Sequence, residues 1–248
     1  MSPSNRVRNS AQPRWTLWYQ HAAVRAFQAS GAIRRKMVNA GDIADYTGWL
    51  TEHFGPIKVH REREEVWERM RAQVTSGPVV GLEFGVAWGY ATDWWMTHVP
   101  NGGLEWHAFD RFTGLPRSWR NLDAGTFGND GNPPPVNDAR VTWHVGDVEA
   151  TIGEAPLDRA RDAQVVVLFD LDLYEPSKVA WDHLKTALRP GDLLYFDEAF
   201  DTDERQLLDE SVLPEGRYTC IGATPLALAL RVEEINSREA GNRTSPPG

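Results

Sequence analysis

Residues 165–176 read Val-Val-Val-Leu-Phe-Asp-Leu-Asp-Leu-Tyr-Glu-Pro, an apolar run that changes abruptly to acidic residues. Such a run predicts a buried β-strand, and the closing Glu-Pro pair is typical of the first turn of a helix. A second apolar run, at residues 192–198 (Asp-Leu-Leu-Tyr-Phe-Asp-Glu), ends in acids in the same way. Neighbouring parallel strands open at their carboxyl ends into one ligand-binding crevice. We therefore expect four carboxylates to share one site: Asp170, Asp172, Asp197 and Glu198.

These clustered carboxylates have two interpretations. Buried like charges are costly unless a cation or bound protons offset them, and Mg²⁺ prefers carboxylate oxygens. Zn²⁺ would favour His or Cys, and the motif contains neither. In the alternative interpretation, Asp170 and Asp172 cap the helix that begins near Pro176, and Asp197 and Glu198 are loop acids at a strand end. Position alone leaves both interpretations open.

Strands and helices alternate on both sides of this stretch. Strands are predicted at 79–86, 105–110, 140–145, 165–171 and 192–196, and helices at 90–98, 146–152, 176–188 and 202–211. A final pair of strands, 217–224 and 226–232, is joined by a tight turn. Five strands separated by helices predict an α/β fold with a doubly wound parallel sheet, to which the closing pair adds an antiparallel edge. The long loop 111–138, rich in Gly, Asn and Pro, is a candidate lid.

The sequence before residue 79 is organised differently. Helices are predicted at 15–36, 42–53 and 62–73, the last from its charge spacing and helix propensity. We expect a flexible tail over 1–14, a helical cap over 15–75, a cofactor-binding domain over 76–236 and a disordered tail over 237–248.

Composition limits the class of protein. With 248 residues, 41% of them hydrophobic, the chain fits one α/β domain with a helical extension. A net charge of -9 argues against a nucleic-acid partner. The single Cys220 excludes an internal disulfide, and its apolar surroundings indicate a buried thiol. Without a long apolar run or an apolar signal core, we expect a cytoplasmic protein with no membrane partner.

Aromatic and imidazole side chains are numerous near the expected site. Four of the eleven tryptophans cluster there: Trp88, Trp94, Trp95 and Trp119. Core packing is favoured for them over an aromatic wall for an organic substrate. For His107 and His144, which lie on predicted strands, core positions are favoured, and His98 is expected at a helix end.

A glycine turn follows the first predicted strand. Residues 81–89, Gly-Leu-Glu-Phe-Gly-Val-Ala-Trp-Gly, show the spacing G-x-x-x-G rather than the dinucleotide fingerprint G-x-G-x-x-G. The carboxylate of Glu83 can accept hydrogen bonds from an ammonium group, whereas it would repel a pyrophosphate.

Two further acids end the next strands. Asp110 suits the two hydroxyls of a ribose, or is a cap or loop residue. Asp147, after Gly146, can receive an adenine amino group or serve equally well as a helix N-cap. A nucleoside that carries an amino acid instead of phosphates fits all these positions together with Glu83, and S-adenosylmethionine is such a ligand.

The chain at this point resembles the class I S-adenosylmethionine-dependent methyltransferases. It is most similar to the macrocin O-methyltransferase family, which methylates sugar hydroxyls. Four segments carry the resemblance: LEFGVAWGYA (82–91), AFDRFTGLPRSW (108–119), FDLDLYEPSKVAWDHL (169–184) and RPGDLLYFDEAF (189–200). The resemblance implies a seven-stranded Rossmann-like sheet, a homo-oligomer, and Mg²⁺ as a second cofactor.

The resemblance also implies roles for individual residues. The expected cofactor-binding residues are Glu83, Gly85, Val86, Gly89, Asp110, Arg111, Gly146, Asp147 and Asp170. The expected metal ligands are Asp170, Asp197 and Glu198, and Asp170 is also our candidate general base. Two positions depart from the family: Glu198 stands where Asp is typical, and Arg111 stands where Ser is frequent.

The sequence therefore predicts an O-methyltransferase acting on a hydroxyl of a sugar or small natural product. Two alternatives stay open: a metal-dependent hydroxylase-like tailoring enzyme on the same scaffold, and a non-catalytic partner protein that binds S-adenosylmethionine. A dehydrogenase is disfavoured because the phosphate-binding glycine spacing is missing.

Overall fold

The computed structural model describes residues 31–100, 102–120, 122–160 and 162–236, without the side chains of residues 31–39 and 159. The tails expected at 1–14 and 237–248, and the part of the first expected helix before residue 31, lie outside the described residues.

The chain divides into two compact units, Met1–Asp45 and Tyr46–Gly248. Helix α1, Gly31–Phe54, runs without a break, so the helix expected at 42–53 is the end of a longer one. Gly41 does not interrupt it, since one interior glycine costs a helix only about 1 kcal/mol relative to alanine. The domain boundary expected at residue 75 stays a prediction.

Helices and strands alternate after α1 as the sequence predicts. The further helices are α2 (Arg63–Arg71), α3 (Tyr90–His98), α4 (Val148–Thr151), α5 (Leu157–Ala160), α6 (Tyr174–Leu184) and α7 (Thr202–Leu207). The strands are β1 (Val79–Phe84), β2 (Leu104–Asp110), β3 (Val141–Val145), β4 (Gln164–Phe169), β5 (Leu193–Phe196), β6 (Gly216–Ala223) and β7 (Leu228–Ile235). The helix expected at 202–211 leaves the α conformation after Leu207 and continues as a π-helical turn, Leu208–Val212.

The strands form a seven-stranded sheet in the order β3-β2-β1-β4-β5-β7-β6. Strands β1 to β5 pair in parallel, and β7 pairs antiparallel with both β5 and β6. This arrangement confirms the expected fold class, and it places the antiparallel strand one position inside the edge. Both faces of the sheet are covered by apolar clusters, which explains why all six residues of β1 are buried.

Four phenylalanines lie in one row across the carboxyl ends of the central strands. Phe84 pairs in register with Phe109 and Phe169, and Phe169 pairs with Phe196. Neighbouring rings in this row stack with centroids 4.9, 5.8 and 4.9 Å apart. The residue after each ring is a predicted site residue: Gly85, Asp110, Asp170 and Asp197. The fold thus aligns four residues that are distant in the sequence along the carboxyl-terminal ends of the central strands.

No helix among the described residues is long and apolar enough to cross a membrane.

Candidate functional site

A cavity of about 1180 Å³ opens at the carboxyl ends of β1, β2, β4 and β5. Pockets for a single small ligand commonly measure about 300–1,000 Å³. The cavity therefore exceeds the usual volume of a pocket for one small ligand. All of the predicted cofactor and metal residues except Gly89 line it.

Glu83 is buried beneath the glycine turn. Its Oε2 atom accepts hydrogen bonds of 2.7 Å from both the Thr92 hydroxyl and the Trp106 indole nitrogen. Its Oε1 atom is buried and has no hydrogen-bond partner. Burial raises the pKa of this carboxyl to about 7, although the two donors oppose the shift. A buried acceptor that lines a cavity and lacks a donor fits the ammonium group of an amino-acid ligand.

Asp110 holds the backbone of the glycine turn. Its Oδ2 accepts the backbone N–H groups of Val86 (2.8 Å) and Ala87 (2.9 Å), and its Oδ1 accepts that of Phe112 (2.6 Å). Ala87 adopts the left-handed conformation, with φ of 49°. The cap-or-loop alternative for Asp110 is thus partly realised, because the carboxylate positions a loop. One lone pair of Oδ1 is still available for a ribose hydroxyl.

Glycine is needed at two positions of the turn, for a different structural reason at each. Gly85 has φ of 85°, and a Cβ atom there would lie 1.7 Å from the carbonyl oxygen of Asp170. Gly89 has φ of 79°, and a Cβ atom there would lie 2.6 Å from Pro134. Gly85 therefore allows β1 and β4 to approach each other, and Gly89 allows loop 111–138 to pack against the turn.

Arg111 and Asp147 face each other on the wall beyond Asp110. The Nε atom of Arg111 lies 3.4 Å from Oδ1 of Asp147 and donates to the Thr113 hydroxyl at 2.7 Å. Asp147 occupies the N-cap position of α4, but its side chain makes no capping hydrogen bond. The side chain lies in this ion pair instead, and both residues line the cavity.

Asp170, Asp172 and Glu198 form the acidic centre of the cavity. One carboxylate oxygen of each lies within 4.8 Å of those of the other two. Asp172 has φ of 60°, a left-handed conformation that is uncommon for residues other than glycine. The Oε2 atom of Glu198 is buried without a hydrogen-bond partner. Sequence reasoning left Asp172 undecided, and the structure places it inside this cluster.

Neither Asp170 nor Asp172 caps helix α6. The N-cap position of that helix is Leu173, and the backbone N–H of Tyr174 donates to the carboxylate of Asp203 at 3.1 Å. The capping interpretation of these two aspartates is therefore wrong, because Leu173 is the N-cap residue and the carboxylate of Asp203, from α7, accepts the first N–H of the helix.

Asp197 lies beside the cluster and is held by two other side chains. Its Oδ1 accepts a 2.6 Å hydrogen bond from the Tyr195 hydroxyl, and its Oδ2 lies 3.0 Å from Nη1 of Arg63. Its role as a metal ligand stays a prediction. Arg63 lies on α2, outside the sheet, and no motif in the sequence singles it out.

Mutual repulsion and burial dominate the electrostatics of the acidic centre. Burial, followed by the charges of Asp197 and Asp172, raises the pKa of Asp170 well above its usual range. The pKa of Asp172 is raised to about 7 by burial and by Asp197, and that of Glu198 is raised by burial and by Asp170. Each shift marks a carboxylate that lacks a compensating cation.

Glu204 is a further acid that sequence reasoning missed. It is fully buried on α7, accepts the backbone N–H of Glu198 at 3.0 Å through Oε2, and leaves Oε1 without a partner. Its position in an ordinary helical segment gives no sequence signal. This contact fixes the backbone from which Glu198 reaches the cluster.

The acidic centre fits Mg²⁺. Opposite ligands of this ion are about 4.2 Å apart, twice a bond of about 2.1 Å. One carboxylate oxygen from each of Asp170, Asp172 and Glu198 lies within 4.8 Å of the other two, so small side-chain movements would bring them to the distances of such a coordination shell. The donor set is all oxygen, and the raised pKa values indicate an excess of negative charge at the same place. The residues present thus suit a hard divalent cation.

Loop 111–138 and the glycine turn form the aromatic part of the cavity wall. Of the four clustered tryptophans only Trp88 lines the cavity, whereas Trp95 is buried in the core and Trp94 packs against it. The rings of Trp88 and Phe127 meet edge to face with centroids 5.8 Å apart. The loop is tied down by an ion pair between Arg120 and Asp201.

The other singled-out residues lie away from the chemistry. His107 and His144 are buried neighbours on β2 and β3, joined by a 3.0 Å hydrogen bond. His98 ends α3. Burial raises the pKa of the Cys220 thiol to about 11, which argues against a nucleophile.

No protein-family model and no curated protein matches the sequence. Among solved structures, the calicheamicin methyltransferase CalS11 is similar, with a TM-score of 0.51, 18% identity, and coverage of 93% of this chain and 99% of its own. The O-methyltransferase NovP is similar with a TM-score of 0.50, 16% identity, and coverage of 68% and 78%. At these identities the comparison establishes the fold: the chain has the Rossmann-like fold of class I methyltransferases, as the resemblance implies.

Proposed function

We propose that this protein is an S-adenosylmethionine-dependent O-methyltransferase that acts on a hydroxyl of a sugar or small natural product with the help of Mg²⁺. The observation that carries the proposal is the unpartnered Oε1 of buried Glu83, on the same cavity as the acidic centre. A hydrogen-bond acceptor for an ammonium group would suit the methyl donor. A neighbouring binding site for a divalent cation would suit a hydroxylated substrate. The names of CalS11 and NovP support the same reaction class.

Four residues would hold the cofactor. Glu83 would bind the ammonium group, Asp110 the ribose, and Arg111 with Asp147 the adenine side of the cavity. Bound S-adenosylmethionine supplies an electrophilic methyl group, and bound Mg²⁺ supplies positive charge that orients and acidifies an acceptor hydroxyl. The turn that Asp110 holds keeps these contacts in place, which favours alignment of the reacting atoms.

Asp170, Asp172 and Glu198 would hold Mg²⁺, and Asp170 would take the proton of the acceptor hydroxyl at its carboxylate. A neutral hydroxyl is a poor nucleophile, so its deprotonation and alignment are the main tasks of the protein. Burial and the charges of Asp197 and Asp172 raise the pKa of Asp170, whereas Mg²⁺ on the same carboxylate would lower it again. The positive charge of Arg63 also lowers that pKa.

The proposal is tested by calorimetric binding of S-adenosylhomocysteine and by a methyl-transfer assay with Mg²⁺ and hydroxylated glycosides. We expect saturable one-site binding, product formation, and loss of turnover in chelator. Oxygen consumption without methyl transfer would instead support the hydroxylase alternative. Tight cofactor binding without turnover on any hydroxylated acceptor would support the non-catalytic one. Absence of cofactor binding would overturn the proposal.

The expected cytoplasmic location and homo-oligomeric state stay predictions.

A further inference from the structure

Trp88 and Phe127 are presented to the cavity by strained backbone. Phe127 has φ of 68°, and Trp88 lies between Ala87 (φ 49°) and Gly89 (φ 79°). A left-handed conformation costs a residue other than glycine about 1–3 kcal/mol, and such strain concentrates at functional sites. The carboxylate of Asp110 accepts the backbone N–H of Ala87 and so holds this residue in its strained conformation. The hydrogen bond thereby restrains the backbone next to Trp88.

The indole of Trp88 is also exposed to an unusual degree. Its exposed fraction is 63%, although large aromatic side chains are commonly well buried. Its ring forms an edge-to-face pair with Phe127, and most of the indole is exposed. Tyr90, 58% exposed, also lines the cavity and donates a hydrogen bond to Glu64. Three aromatic side chains on a cavity of this size are suited to the apolar face of an organic acceptor.

The charges around this wall restrict the acceptor. The described residues that line the cavity include ten carboxylates: Glu64, Glu83, Asp110, Asp147, Glu149, Asp170, Asp172, Glu175, Asp197 and Glu198. They include three arginines, and each of these is already paired with a carboxylate: Arg63 with Asp197, Arg111 with Asp147, and Arg117 with Glu175. A nucleotide-activated sugar carries a diphosphate, which favours arginine or lysine partners that are free to pair. Four of the ten carboxylates have raised pKa values, and with these four protonated six carboxylates still face three arginines. This excess of negative charge opposes such an anion and favours a neutral or cationic molecule.

We propose that Trp88 and Phe127 form the acceptor subsite, and that this subsite takes a glycoside without negative charge in preference to a nucleotide-activated sugar. The inference rests on the proposed function, because it assigns the acceptor side of the same cavity. Trp88 and Phe127 determine specificity in this scheme by packing against the acceptor, while Asp170 and its neighbours serve the reacting hydroxyl.

The test compares two ligands that share one sugar. Binding of 4-nitrophenyl β-D-glucopyranoside and of dTDP-glucose is measured by calorimetry with S-adenosylhomocysteine and Mg²⁺ present. We expect the neutral glycoside to bind about tenfold more tightly, and Trp88→Ala and Phe127→Ala each to weaken it about tenfold. Trp88→Phe keeps an aromatic face and is expected to retain most of the affinity. Leu226→Ala truncates an exposed apolar residue outside the cavity lining, so it serves as the matched control and is expected to bind like the wild type.

Three results would overturn the inference: equal or tighter binding of dTDP-glucose, unchanged glycoside binding in Trp88→Ala, or no glycoside binding by the wild type. Each variant is first titrated with S-adenosylhomocysteine, which reports folding and an intact cofactor site. Failure of the wild type to bind that ligand would count against the proposed function itself. Normal cofactor binding with the wrong acceptor preference would count against the acceptor subsite alone.

Discussion

The indole nitrogen of Trp106 donates a 2.7 Å hydrogen bond to Oε2 of Glu83 on the adjacent strand. The Thr92 hydroxyl donates to the same oxygen, so both side-chain donors bind Oε2. The other oxygen, Oε1, is buried without a partner, and Glu83 lines the cavity. Two rigid donors therefore aim one carboxylate oxygen at the position proposed for the ammonium group of the cofactor.

Replacing Glu83 by glutamine should weaken cofactor binding strongly. A hydrogen bond to a charged group contributes about 1.5–3 kcal/mol, so the Kd for S-adenosylhomocysteine should rise roughly 10- to 100-fold. Calorimetry at pH 8 measures this change. Glu149→Gln, which alters an exposed carboxylate on the same cavity, is the control and should change Kd little. Equal affinities for the two variants would remove Glu83 from the cofactor site.

The same substitution should change how stability depends on pH. The pKa of Glu83 is about 7 in the folded protein and 4.5 in the reference state, so the folded state holds the proton more tightly. Its contribution to stability is full below pH 4.5 and is lost as the pH rises through 7. The free energy of unfolding of the wild type, relative to Glu83→Gln, should fall by roughly 3 kcal/mol between pH 4.5 and 8. Denaturant titrations at several pH values test this, and a constant difference would contradict it.

Removal of single acids should separate metal binding from cofactor binding. Asp170→Asn and Asp197→Asn should lose methyl transfer and keep the affinity for S-adenosylhomocysteine. Asp172→Asn should weaken Mn²⁺ binding, followed by electron paramagnetic resonance, more than Asp197→Asn does, because Asp197 is already engaged by Arg63 and Tyr195. Full activity of Asp170→Asn and Asp197→Asn in chelator would exclude the metal role.

Gly85→Ala should disrupt the meeting point of β1 and β4. The new Cβ would lie 1.7 Å from the carbonyl oxygen of Asp170, at a φ of 85° that alanine tolerates poorly. We expect a loss of roughly 3 kcal/mol or more in unfolding free energy, with loss of cofactor binding. Gly153→Ala, where a Cβ meets no atom within 4 Å, is the matched control and should be near neutral. Similar stabilities for the two variants would show that the strand ends move apart easily.

Breaking the ion pair between Arg120 and Asp201 should loosen loop 111–138. Their side chains are 18% and 6% exposed, so Arg120→Gln strands a buried carboxylate at a cost of about 3 kcal/mol. Acceptor KM should rise more than the Kd for S-adenosylhomocysteine, because Phe127 of this loop belongs to the proposed acceptor subsite. Arg117→Gln breaks an exposed pair with Glu175, worth at most about 1 kcal/mol, and should leave the melting temperature almost unchanged. Equal melting temperatures for both variants would argue against a tether.

The strand alternation was sufficient to predict the sheet, and the acids at the strand ends were sufficient to predict which side chains line one cavity. Strand periodicity is local, and Asp110, Asp170 and Asp197 each follow a phenylalanine of the same register row. Which role each acid takes does not follow from the local sequence. Asp203, from α7, caps α6, and Arg63, from α2, engages Asp197. Such contacts depend on how distant helices pack, which no spacing within a motif encodes.

The row of four stacked phenylalanines also determines how far apart the residues at the strand ends lie. Strands in a sheet are about 4.8 Å apart, and the two shorter ring separations of 4.9 Å match that spacing. The carboxylates that follow the rings therefore inherit their lateral separation from the backbone. Asp170 is the one member of the acidic centre that follows a ring of this row, so its backbone should keep its position whether or not a cation is bound, and a cation should bind there without a refolding step.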